Sequence, residues 1–225
     1  MHLGLIGGIG VAASLVYYQR LASRVADLGG TLEMTLVHAD IRELITNNLA
    51  WKPRAQAESY ARHIERLRAA GCDCAAITSI GGHFCFPETE ALSCLPLVSA
   101  IAPLDAHFAR QGLKRVGLLG TANVMRTRLF GQMVQTGAVA PQGDLDAIGK
   151  LYQDIAVSGA CTEAQRAEVF ELGRKMVQDQ GAEAVILAGT DLNLAFDRDA
   201  GYPVVDALDI HVDLLARLAT GRATL

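Results

Sequence analysis

At 225 residues, 51% of them apolar, the chain can bury either one large core or two smaller ones, and intrinsic disorder is excluded. Lys and Arg number 20 against 24 Asp and Glu, so the net charge of −4 offers no broad positive field for nucleic acid or an anionic membrane. No segment approaches the ~18 uninterrupted apolar residues of a membrane span, and five cysteines, an odd number, argue against a disulfide framework and for a reducing compartment.

Met1 and His2 run directly into Leu3 to Gly7, which reads as a strand and lacks the basic region, long apolar stretch and cleavage site of a secretory signal; a cytoplasmic protein is expected. Val11 to Ala26 reads as an amphipathic helix and Leu32 to Ala39 as a second strand. Arg42 and Asn48 follow in a solvated loop, and Arg54 lies in the first turn of a helix from Pro53 to Ala70. Cys74 to Ser79 gives a third strand and Glu88 to Leu92 a short helix, with Gly29-Gly30 and Gly71 marking chain returns. Cys72-Asp73-Cys74 lacks the spacing and the nearby His pair of a zinc site, so no metal is expected. Beyond Pro96 the order recurs: Arg115 to Leu119 as strand, Asn123 to Gln135 and Thr162 to Gln180 as helices, Ala184 to Ala188 as strand. Pro96 and Pro203 each open a strand that leads into a helix, Ser99 to Gln111 and Asp206 to Ala219. Such alternation predicts an α/β fold with mostly parallel sheets.

Three landmarks pair across the halves. Gly4-Leu5-Ile6-Gly7 answers Gly117-Leu118-Leu119-Gly120 (117 − 4 = 113), Ala76 to Ser79 answers Ile186 to Gly189 (189 − 79 = 110), and Pro96 to Ala100 answers Pro203 to Ala207 (203 − 96 = 107). Three matches in one order at nearly constant offsets predict two similar α/β domains, residues 1–96 with 206–225, and 97–205. Ligands of such sheets bind beyond the strand C-termini, so a small ligand is expected in the cleft between the halves.

The strand ends carry the candidate site. Gly8 and Gly10 open the helix after the first strand and would offer backbone N–H groups to an anion. The same glycines satisfy G-x-G-x-x-G/A, which leaves a dinucleotide reading open with Asp40 as ribose acceptor. Ser79, Gly81, Gly82 and His83 follow the third strand, and Gly189, Thr190 and Asp191 its counterpart; His83 could equally be a hydrogen-bonded residue at a helix start and Thr190 and Asp191 helix caps, whereas the strand-end position of Ser79 favours a functional role. Arg42 and Asn48 are placed to reach a substrate carboxylate.

Gly4-Leu5-Ile6-Gly7-Gly8-Ile9-Gly10 with Tyr17-Tyr18, the Ile77-to-His83 segment, and Leu187-Ala188-Gly189-Thr190-Asp191 resemble the three signature regions of the aspartate/glutamate racemases, in order over nearly the whole chain. The resemblance implies a pseudo-twofold pair of α/β domains, no pyridoxal phosphate or other cofactor, a homodimer, and a small carboxylate ligand such as an acidic amino acid. It also implies two opposed cysteines as acid and base, but those positions are Ser79 and Gly189 here, and Ile80 stands where the family has Asn. A serine hydroxyl needs an adjacent base and glycine has no side chain, so the two-thiol route is closed.

What the resemblance leaves is a binding framework of Gly8, Gly10, Arg42, Asn48, Gly81, Gly82, Thr121 and Gly189, with Ser79, His83, Thr190 and Asp191 as the catalytic candidates. Two functions compete: an isomerase acting on an acidic amino acid or related carboxylate with altered acid/base residues, and an inactive relative that binds a small carboxylate or a protein partner.

Overall fold

In the computed structural model, which describes residues 1–225, the first apolar run forms strand β1 (His2–Gly7), buried from Leu3 onward. Gly10, at φ 119°, turns the chain directly into helix α1 (Val11–Asp27). The elements that follow are β2 (Glu33–His38), α2 (Ile41–Leu49), α3 (Pro53–Ala69) with Pro in its first turn, β3 (Cys74–Ile77), a 3₁₀ turn (Gly81–Cys85), α4 (Phe86–Leu92) and β4 (Leu97–Val98). Their strands form one parallel sheet in the order β2-β1-β3-β4. β1 and β3 are buried almost throughout, as parallel strands covered on both faces must be, and β2 at the edge is partly exposed.

The chain continues through α5 (Ala102–Arg110), β5 (Arg115–Leu119), α6 (Ala122–Thr127), β6 (Gly137–Val139), α7 (Leu145–Ser158), α8 (Glu163–Gln180), β7 (Ala184–Leu187), a second 3₁₀ turn (Thr190–Leu194), β8 (Val204–Asp206) and α9 (Ala207–Ala219). These strands form a second parallel sheet, β6-β5-β7-β8. Two units result: Met1–Ala100 with Asp209–Leu225, and Ile101–Leu208. In the first, α9 covers α1. The Tyr17 hydroxyl meets His211 Nδ1 at 2.8 Å, and Arg20 and Arg24 pair with Asp209 and Asp213 at 2.7 and 2.6 Å. The ion pairs are exposed and contribute a few tenths of a kcal/mol each; burial of Tyr17, Leu21 and Val25 contributes more, roughly 1.5–3 kcal/mol per side chain.

The internal repeat is visible in the pairing register. Leu3 pairs with Cys74 and Val116 with Ala184, positions offset by 116 − 3 = 113 and 184 − 74 = 110. Ala75 pairs with Leu97 and Val185 with Val204, offset by 185 − 75 = 110 and 204 − 97 = 107. Each unit thus reproduces the same strand order with the same residues opposed, at the offsets found in the sequence.

Two local expectations are corrected, and two elements are added. Arg42 and Asn48 lie in helix α2 and not in a loop, because Asp40 caps it by accepting the Arg42 amide at 2.8 Å. The helix expected over Asn123 to Gln135 stops at Thr127, since Arg128, Leu129 and Phe130 all take positive φ (53°, 55° and 57°) and Leu129 turns fully into the core. Strand β6 and helix α7 were not anticipated. Asp144, accepting from two amides, starts α7, and Gly159 in the left-handed region ends it.

Candidate functional site

In the first unit β3 is followed by Thr78, whose hydroxyl donates to the Ile6 carbonyl at 2.9 Å and ties the strand end to β1. Ser79, 4% exposed, comes next. Its Oγ accepts the Gly82 amide at 3.2 Å, and its carbonyl accepts from His83 Nδ1 at 2.7 Å. Because the Ala100 amide donates to His83 Nε2 at 3.0 Å, that nitrogen must be the acceptor and the proton sits on Nδ1. The ring stacks on Phe86 with centroids 5.1 Å apart, and burial lowers its pKa to about 4 against the opposing pull of the Ser79 carbonyl.

This geometry corrects the catalytic expectation for His83. Both ring nitrogens are engaged with backbone and the imidazole is held neutral, so it positions the turn and has no lone pair for a substrate proton. No side-chain base touches the Ser79 hydroxyl either, which leaves it a hydrogen-bond donor rather than an activated nucleophile. The neighbouring thiol of Cys85 is buried and pushed up to about 12, chiefly by that burial; it carries no thiolate at neutral pH.

The backbone donors expected for a carboxylate are also partly spent. The Gly8 amide donates to Ser14 Oγ at 2.9 Å and the Gly82 amide to Ser79, so neither is the free anion cradle predicted. Gly8 is nonetheless required as glycine, at φ 82°, where a Cβ would strike the His38 ring and come within 2.5 Å of the Ala39 carbonyl oxygen. Gly10 carries the turn into α1, its carbonyl accepting from Ser14 Oγ at 2.9 Å. Asn48 is 4% exposed and donates to the Gly81 carbonyl at 3.1 Å, so it holds the Ser79 turn in place from α2. Arg42 is exposed at the start of α2 with its guanidinium in no ion pair, whereas Arg54 pairs with Glu58 at 2.9 Å. Asp40, the ribose acceptor of the dinucleotide reading, is occupied by the Arg42 amide.

In the second unit β7 is followed by Ala188 and Gly189, and Thr190 and Asp191 open the 3₁₀ turn at 1% exposure each. Helix α7 lies over this turn. Gly149 lets it approach closely, since a Cβ there would come within 2.6 Å of the Ala122 amide nitrogen. One turn on, Tyr152 covers Gly189, where a Cβ would lie 2.5 to 2.9 Å from three ring carbons. The phenol hydroxyl donates towards Asp191 Oδ2 at 3.5 Å. Burial first, and the Asp191 charge second, raise the pKa of that hydroxyl. Thr121 is 9% exposed at the end of β5 and caps α6, accepting the Val124 amide at 3.3 Å. No cluster of three or more His, Cys, Asp and Glu side chains is placed to hold a metal ion, and no helix is long and apolar enough to cross a membrane.

Tyr152 escaped the sequence reading because its helix did. The signal existed: Asp144 and Gly159 bracket Leu145, Ile148, Tyr152 and Ile155, spaced three, four and three apart. Tyr152's position over Gly189 had no such signal, since it depends on a close approach between helix and turn.

A family model described as Asp/Glu/Hydantoin racemase matches residues 6–215 of the chain. Among solved structures, a Yersinia pestis protein provisionally described as an Asp/Glu racemase superposes with a TM-score of 0.81 at 24% identity, covering 98% of this chain and 100% of its own. An aspartate racemase homologue from Pyrococcus horikoshii gives 0.76 at 22% identity over 97% and 99% of the two chains. The Picrophilus torridus aspartate racemase gives 0.77 at 20% identity over 98% and 95%. At such identities these three likenesses speak for the fold alone.

Proposed function

Since the chain belongs to the Asp/Glu/hydantoin racemase family, we propose that it is an isomerase-type enzyme moving a proton at the carbon beside the carboxylate of an acidic amino acid or a related small carboxylate. The observation that carries this reading is the matched pair of strand ends. β3 and β7, equivalent in register, each lead into a buried 3₁₀ turn, the first preceded by the buried Ser79 and the second opened by Thr190 and Asp191. Buried polar turns at the C-terminal ends of parallel strands are where such sheets hold ligands. Arg42, unpaired and exposed at the start of α2, suits the charge of a carboxylate.

The chemistry differs from a two-thiol exchange. Ser79 supplies a hydroxyl without a base, and position 189 supplies no side chain. No cofactor is part of the proposal. A cytoplasmic location suits its five unpaired thiols, and a homodimer suits the exposed apolar stripe of Val11, Leu15 and Tyr18 on α1.

Incubation in deuterated water with D- and L-acidic amino acids, small hydroxy acids and dicarboxylates, followed by NMR, tests the reading. Loss of an α-proton signal is expected for at least one compound, and unchanged spectra for all of them would overturn it. A second reading, an inactive relative that binds a small carboxylate, is favoured by one observation, the full engagement of His83 by backbone. It predicts thermal stabilisation by a compound whose spectrum does not change.

A further inference from the structure

The space beside Gly189 is not empty. A side chain at that position would begin inside the ring of Tyr152, so in this chain the strand end of β7 presents a phenol where a residue-189 side chain would otherwise project. The arrangement is built rather than incidental. Gly149 brings α7 against Ala122 at the start of α6, and Asp144 and Gly159 fix where the helix starts and stops. Tyr152 is 7% exposed, and Thr190 and Asp191 beside it are each 1% exposed, so its hydroxyl and the carboxylate share one water-poor turn. There the hydroxyl directs its proton towards Asp191 Oδ2.

We propose that Tyr152 is the acid–base residue of the second unit, working as a relay with Asp191. The inference rests on the functional reading above and names the group that moves the proton. In the deprotonation the substrate Cα–H bond breaks and its proton bonds to the phenol oxygen. The proton already on that oxygen passes to the Asp191 carboxylate, and the electron pair stays on the substrate as a carbanion delocalised into its carboxylate. The return step runs the same transfers backwards and restores phenol and carboxylate. Charge and protons balance without a cofactor, and Tyr152 never has to exist as a free phenolate. Such a relay suits a phenol whose own ionisation is suppressed by burial.

A single relay takes and returns the proton on one face of the substrate only. Proton exchange is therefore expected to outrun inversion. The test is the deuterium exchange of the active compound with the full-length chain, comparing parent with Tyr152→Phe and Asp191→Asn and following configuration by chiral chromatography. Tyr152→Phe keeps the ring over Gly189 and removes one oxygen atom.

The parent is expected to exchange the α-proton of one enantiomer at least about tenfold faster than it inverts it. Tyr152→Phe should slow exchange by roughly 100-fold or more, the contribution typical of a positioned acid–base group, with an unaltered circular dichroism spectrum. Exchange that survives intact in a folded Tyr152→Phe overturns the assignment and leaves the family function standing. Absence of exchange in the parent overturns both. Should Tyr152→Phe fail to fold, Asp191→Asn decides: it preserves shape and removes the proton acceptor, so undiminished exchange in that variant also overturns the relay.

Discussion

His83 donates its Nδ1 proton to the carbonyl oxygen of Ser79, four residues earlier, at 2.7 Å. That bond and the Ala100 amide on the opposite nitrogen shape the turn that carries Ser79 and lock the imidazole in its neutral form.

A pH dependence of stability follows. Burial lowers the pKa of His83 to about 4 and that of His211 to about 3, the second helped by the nearness of His83. Both groups have folded pKa values depressed below the unfolded value near 6.5, so above that pH they are neutral in both states and cost nothing. As pH falls below 6.5 the unfolded chain binds protons that the folded chain refuses, and stability drops until the folded pKa is reached. At pH 5 each imidazole should cost roughly 2 kcal/mol relative to pH 7. Urea unfolding at the two pH values should show the lower midpoint at pH 5, and replacing His211 with Phe should shrink the difference.

Asn48→Ala should uncouple α2 from the Ser79 turn by removing the donor to the Gly81 carbonyl. A loss of about 1–2 kcal/mol in unfolding free energy is expected for one buried hydrogen bond, together with lower α-proton exchange at temperatures where the variant is fully folded. Exchange equal to that of the parent would mean that the turn keeps its shape without Asn48.

Asp105 fastens the segment leading into β6. Its carboxylate accepts the amides of Val134, Gln135 and Thr136 at 2.9, 2.8 and 2.9 Å. Although burial pushes its pKa up, those three donors outweigh it and hold the group below the ordinary carboxylate range. Asp105→Ala strands all three donors, two in part-buried and one in buried surroundings, and should cost about 3 kcal/mol. Thermal unfolding of the variant measures it.

Leu15 is 66% exposed between Val11 and Tyr18 on α1. If this stripe seats a second copy of the chain, Leu15→Glu should shift the species seen by light scattering from dimer to monomer without changing the circular dichroism spectrum. A parent that is monomeric at micromolar concentration would sink the idea.

Apart from the three-residue edge strand β6, both sheets were legible from sequence because their strands are continuous apolar runs that glycine and proline punctuate. The repeat was legible because Leu3 and Val116 occupy the same register position. Helix α2 was hidden by its polar composition: Arg42, Glu43, Thr46, Asn47 and Asn48 carry little apolar periodicity, and only the Asp40 cap announces it. The segment after Thr127 misled in the opposite direction, since a helix-compatible sequence turns left-handed to bury Leu129. For the candidate site, the strand-end residues could be listed from sequence. That both His83 nitrogens bond to backbone, and that a tyrosine from another helix fills the place beside Gly189, are consequences of packing at distances no local pattern encodes.

The first unit is assembled from two separated stretches, Met1–Ala100 and Asp209–Leu225, whereas the second is one continuous stretch, Ile101–Leu208. On a ribosome the chain emerges vectorially, at about 5–20 residues per second. The partner of the Tyr17 hydroxyl, His211, is therefore made only after every residue of the second unit has been synthesised. The unit begun first is the unit finished last, and until residues 209–225 emerge the face of α1 that they cover is a surface for chaperones to guard.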